Sequence, residues 1–172
     1  MTTPPFALPT SAEIDVVSAQ LGRQARGVVG IAARCICGNP TVVATSPRLP
    51  DGSPFPTFYY LTHPAATAAM STLEATLVMP ELAALLEDET ILAGYQAAHA
   101  AYIEDRAQFG EVPEIDGISA GGMPTRVKCL HALAGHALAA GPGVNPIGDA
   151  ALARSTWTPE RCECEQPGAA TT

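Results

Sequence analysis

The sequence predicts an α+β fold: a small antiparallel β-sheet of three strands over about residues 27–62, packed by several α-helices over residues 64–155. Three observations carry this. Short β-branched and aromatic stretches, each bounded by Gly/Pro turns, are confined to the first segment. The second is alanine-rich, with apolar residues at three-to-four spacing. A length of 172 residues suits one domain with enough core to need no staples.

The elements follow in chain order. Residues 1–10 hold three prolines and no periodic pattern, and read as a flexible tail. A short helix capped by Ser11 follows, with Ile14, Val17 and Leu21 on one face. "GVVGIAARCIC", "TVVATS" and "FYYLT" are the strands, separated by the "GNP" turn and a proline-dense loop around Pro50-Asp51-Gly52. After His63-Pro64 the chain turns helical through "AATAAMSTLEATLV", "MPELAALLED" and "ETILAGYQAAHAAYIEDRAQF". A loop containing Gly121 and Gly122 leads to a helix starting at Pro124 and ended by "GPGVNP". "IGDAALARSTW" adds a turn or two. The single domain spans 11–164, and 165–172 read as a disordered tail.

Seventeen acidic against nine basic residues, for a formal charge of −8, argue against nucleic acid or an anionic membrane surface as partner. No run approaches the roughly 18 apolar residues of a membrane span. The N-terminus lacks the basic and apolar regions of a signal peptide, so cytoplasm is the expected location. Lys128 is the only lysine beside eight arginines.

Five cysteines in such a chain point to metal binding or reactive thiols rather than to a disulfide framework. Residues 34–37 read RCIC and residues 161–164 read RCEC. At a strand end, side chains two apart share a face, so Cys35 and Cys37 can converge on one ion. Cys162 and Cys164 offer the same geometry. Four thiolates suffice for Zn²⁺ or an iron–sulfur cluster, and Cys129 can replace one of them. Within a helix from Pro124, Cys129 and His131 project about 200° apart, which speaks against their sharing a metal.

Two further constellations are candidate sites. Gly121 and Gly122, followed by Arg126 and Lys128 in the first turns of the expected helix, form a candidate anion site for a phosphate or carboxylate, with His131 on the Lys128 flank. Tyr95, His99, Tyr102 and Arg106 fall within an arc of about 60° on one helix face. That stripe either forms a hydrogen-bonded network or lines a pocket. In an enzyme built on these groups, Lys128 neutralises the anion and His99 or His131 acts as acid or base. Glu74, Asp51 and Asp116 are available acids that nothing in the sequence pairs.

Taken together, "QLGRQARG", "RCICGNPTVVATSPRLPDGSPFPTFYYLTHP", "AHAAYIEDR" and "SAGGMPTRVKCLHALAGHALAAGPGVNPIGD" resemble the actinobacterial family called domain of unknown function 501, over roughly residues 15–155. Its RC-x-CG and KCLH features are matched by Arg34, Cys35, Cys37 and Gly38, and by Lys128, Cys129, Leu130 and His131. The resemblance implies no activity. Its typical gene neighbours, a septum-formation-initiator-like protein, enolase and an exopolyphosphatase-type enzyme, imply a link to cell division or phosphate metabolism. The leading expectation is a metalloprotein in which Cys35, Cys37 and Cys129, with Cys162 or Cys164, bind Zn²⁺ or, as second choice, an iron–sulfur cluster. The alternatives are a small-anion-binding protein or enzyme, and an adaptor for division proteins.

Overall fold

A computed structural model describes residues 4–164. Its core element is an antiparallel sheet of β1 (Val28–Arg34), β2 (Pro40–Thr45) and β3 (Tyr59–Leu61), in the order β1-β2-β3. Ile31 lies opposite Val43, and Val43 opposite Tyr60. β2 is central and buried along its whole length, so it carries apolar and threonine side chains on both faces.

The two faces are covered differently. Helix α1 (Ser11–Leu21) lays Val17 on Ile31 and Val43. Ala32, Val42 and Ala44 point the other way, into the main core, where the remaining helices pack. These are α2 (Pro64–Glu74), α3 (Val78–Ala84), α4 (Glu89–Ala107), α5 (Leu130–Ala140) and α6 (Pro146–Arg154). The α+β class and the three-stranded antiparallel sheet thus stand as expected. Among the described residues no single helix is long and apolar enough to cross a membrane.

Small residues set the helix spacing. Gly135 of α5 faces the β3 backbone, where an added Cβ would lie 3.2 Å from the Tyr59 carbonyl oxygen. Gly148 of α6 faces α5, where an added Cβ would collide with the Leu133 carbonyl. An alanine-rich chain can therefore build a dense core by bringing backbones close rather than by interdigitating large side chains.

Three expectations about element ends are corrected. Helix α1 is capped by Thr10, not Ser11: Thr10 and Glu13 form a reciprocal capping box. The expected tail at residues 1–10 is anchored within its described part, because Phe6 stacks on Phe109 at 6.1 Å and fills the space Gly30 leaves without a Cβ. Residues 1–3 and the expected tail at 165–172 lie outside the described residues. Helix α5 begins at Leu130, not Pro124. The Arg126 N–H donates to the Gly122 carbonyl, and the Lys128 and Cys129 N–H groups donate to that of Gly121. The stretch that looked like a first helical turn is instead a loop closed on itself.

Candidate metal centre

β1 ends at Arg34, and RCIC leaves it in a tight turn. The Cys35 N–H donates to the Asn39 carbonyl at 2.8 Å, and the Gly38 N–H to that of Cys35 at 2.8 Å. Gly38 takes a φ of +92° that its lack of a Cβ permits. Arg34 braces the turn by donating to the Gly38 carbonyl at 3.0 Å while pairing with Glu13 of α1 at 2.5 Å.

The second half-site arrives from the far end of the chain. After α6, Trp157 is buried with its ring 5.4 Å from that of His63. The Ile36 N–H donates to the Pro159 carbonyl at 3.0 Å, which lays the C-terminal segment directly on the RCIC turn. Arg161 donates to the Thr156 carbonyl at 3.0 Å and so holds its own loop, as Arg34 does.

The Sγ atoms of Cys35, Cys37, Cys162 and Cys164 consequently all lie within 4.8 Å of one another, with Cys37 and Cys164 at 3.5 Å. All four are free thiols. Four Zn–S bonds of about 2.3 Å in a tetrahedron place the sulfurs about 3.8 Å apart, so the cluster needs little adjustment to hold one ion. Cys35 is buried, Cys164 half-buried, and Cys37 and Cys162 exposed. The Asn39 amide, followed by hydrogen bonds from Cys164, Cys162 and Cys35, draws the Cys37 thiol down to about 7. Burial pushes Cys35 up, and Cys164 up to about 12. One thiolate forms readily here. Four at this spacing require a cation, because like charges suppress each other's ionisation.

The structure corrects the expectation for Cys129. It belongs to a separate group with Glu74 and His131. As the N-cap of α5, Cys129 is extended (φ −142°, ψ 108°). The helical rule that would hold it away from His131 therefore does not apply, and its Sγ lies 4.0 Å from His131 Nδ1. The same nitrogen is 3.1 Å from Glu74 Oε1, which also accepts from the Leu130 N–H at 2.7 Å. The carboxylate at the N-terminus of α5 is thus the chain's own Glu74. Hydrogen bonding to Cys129, aided by the Glu74 charge, raises His131 to about 9 against the effect of burial.

The tyrosine–histidine stripe resolves as a network. Tyr95 Oη donates to the Arg126 carbonyl at 2.9 Å. Tyr102 Oη accepts from the Tyr59 N–H at 3.1 Å. Arg106 donates to the carbonyls of Pro56 and Ile115. His99 Nδ1 sits 2.8 Å from Ser119 Oγ. Arg126 and Lys128 are exposed, and loop carbonyls occupy their backbone N–H groups. Among the described residues, the large apolar side chains left exposed, Leu8, Ile36, Leu77 and Ile118, come from four separate segments.

One neighbour of the cysteines was invisible in the sequence. His63, the N-cap of α2, puts Nε2 3.2 Å from Cys164 Sγ. Its only sequence signal was its place before Pro64, at the start of a helix.

Residues 31–153 match the family described as a protein of unknown function, DUF501. The chain belongs to that family. The match takes in Cys35, Cys37, Cys129 and His131, and ends before Cys162 and Cys164. No curated protein and no solved structure matches the chain. The family thus names no reaction.

Proposed function

We propose that the chain is a zinc protein in which Cys35, Cys37, Cys162 and Cys164 bind one Zn²⁺ and lock the segment after α6 onto the β1–β2 turn. The mutual approach of four sulfurs to within 4.8 Å, drawn from segments 127 residues apart in sequence at Cys37 and Cys164, carries this reading. A site with four protein thiolates has no open position, so the role is structural rather than catalytic. The compactness of the set favours a single ion. An iron–sulfur cluster spreads its cysteines over several irons with sulfides between them.

Metal analysis of the full chain, purified under reducing conditions, tests this together with the Cys37→Ser/Cys164→Ser variant. Wild type should retain zinc that the variant loses. Cobalt replacement should give the strong charge-transfer absorption of a thiolate-rich tetrahedral site. Wild-type protein that holds neither zinc nor iron, and folds equally well with and without chelator, overturns the proposal. Absorption bands of bound iron and sulfide would replace zinc by a cluster.

A further inference from the structure

The second group lies at the C-terminal end of α2, whose N-cap His63 touches the four-cysteine cluster. Glu74 ends α2, Cys129 caps α5, and His131 occupies the first turn of α5. Their ligand atoms lie within 4.8 Å of one another, and all three side chains are half-buried. Cys129 and His131 also line a groove of ≈ 640 Å³ that runs past Tyr59 and Tyr60 of β3 and Thr67 and Ser71 of α2.

The imidazole decides what this group is built for. His131 Nε2 is 3.2 Å from the Thr67 carbonyl oxygen and 3.2 Å from Ser71 Oγ. A carbonyl only accepts, so Nε2 carries a hydrogen. Nδ1 then faces two electron-rich atoms, Glu74 Oε1 and Cys129 Sγ. A nucleophile–base–acid relay needs the thiol and the carboxylate on opposite ring nitrogens, in series. Here both meet the same nitrogen. A proton on Nδ1 meets Glu74 at 3.1 Å and reaches Cys129 only over a long 4.0 Å contact. A metal ion satisfies all three at once. A ligating histidine typically anchors its other N–H on a backbone carbonyl, as Thr67 provides.

We propose that Glu74 Oε1, Cys129 Sγ and His131 Nδ1 form a second Zn²⁺ site, with three protein ligands and a fourth position open to the groove. Imidazole, thiolate and carboxylate are all zinc donors, and three ligands with a vacancy are the arrangement of zinc sites that bind water or substrate. This site is independent of the four-cysteine site and stands or falls without it.

Trypsin separates the thiols for the test, because residues 35–48, 129–154 and 162–172 fall on different peptides and Cys129 is alone on its own. Full-length protein is stripped with chelator, titrated with Zn²⁺ and pulsed with iodoacetamide, and each peptide is quantified. Zn²⁺ should slow alkylation of Cys129 by about tenfold or more, since a metal-bound thiolate is a poor nucleophile. In Glu74→Gln and His131→Ala, Cys129 should lose that protection while the other two peptides keep theirs. Far-UV circular dichroism matching wild type shows that the variants are folded. Wild-type Cys129 alkylated at one rate with and without Zn²⁺ overturns the proposal. So does protection that survives intact in His131→Ala.

Discussion

His63 stands between a helix and the Cys164 thiol. Its Nδ1 accepts from the Ala66 N–H at 3.4 Å, capping α2, so its neutral ring carries the remaining hydrogen on Nε2, 3.2 Å from Cys164 Sγ. Burial holds His63 below its ordinary pKa, favouring that neutral form. The ring is therefore oriented by the α2 backbone to donate N–H···S to Cys164 of the four-cysteine cluster.

His63→Ala should leave all four thiolates in place but remove this donor. Zinc affinity, measured by competition with a chromophoric chelator, should fall by about 10–100-fold, the usual cost of losing a partner that orients a metal ligand. Cys164→Ser should cost more. Equal affinity of His63→Ala and wild type would reduce His63 to a helix cap.

Zinc removal should uncouple the C-terminal segment. With free Zn²⁺ at about a thousand times its dissociation constant, the ion contributes about 4 kcal/mol to stability. In a chain of this size that corresponds to a Tm difference of about 10 °C between zinc-loaded and chelated protein. Trp157 is the only tryptophan and packs beside His63, so its fluorescence should change as the metal leaves. Unchanged Tm and fluorescence on chelation would contradict a stabilising ion at this place.

His136 should make the fold acid-sensitive. It is fully buried, stacked on Tyr59 at 5.5 Å and edge-on to Tyr102 at 5.0 Å. Burial pulls it down to about 4. The unfolded chain takes up this proton near pH 6.5, before the folded one does. The stabilisation is therefore complete above about pH 6.5 and is lost as pH falls toward about 4, on a scale of roughly 3 kcal/mol. In metal-free protein, denaturant unfolding of His136→Phe should show a shallower fall over this window than wild type. Equal slopes would assign the acid sensitivity elsewhere.

Two helical glycines should respond with opposite signs. Gly148→Ala forces a Cβ into the Leu133 carbonyl and should destabilise by about 1–3 kcal/mol. Gly94 lies inside α4, and its nearest neighbour to an added Cβ is Pro146 Cγ at 3.4 Å. Gly94→Ala should stabilise by up to about 1 kcal/mol through helix propensity. Thermal unfolding of both variants reads the difference.

The local pattern of the chain was legible because it follows from neighbours in sequence. β-branched runs between Gly/Pro turns located the three strands, and the 3–4 spacing of apolar residues located the helices. RCIC and RCEC stood out by spelling alone, but the leading expectation placed Cys129 beside RCIC and kept only one of Cys162 and Cys164. The start of α5 was misplaced because Pro124 suits a first helical turn, whereas carbonyls of Gly121 and Gly122 capture the amides that a helix there would use.

Residue types and their spacing thus settled the fold class and marked the cysteines. Their partnerships were settled only in three dimensions, because ligand convergence depends on contacts across the whole chain. Pro159 meeting Ile36 unites RCIC with RCEC. Glu74, at the end of another helix, meets Cys129 and His131. In an extended N-cap two residues apart can face one point, and within a regular helix they cannot. That single backbone conformation puts Cys129 beside His131, in a group apart from the four-cysteine cluster.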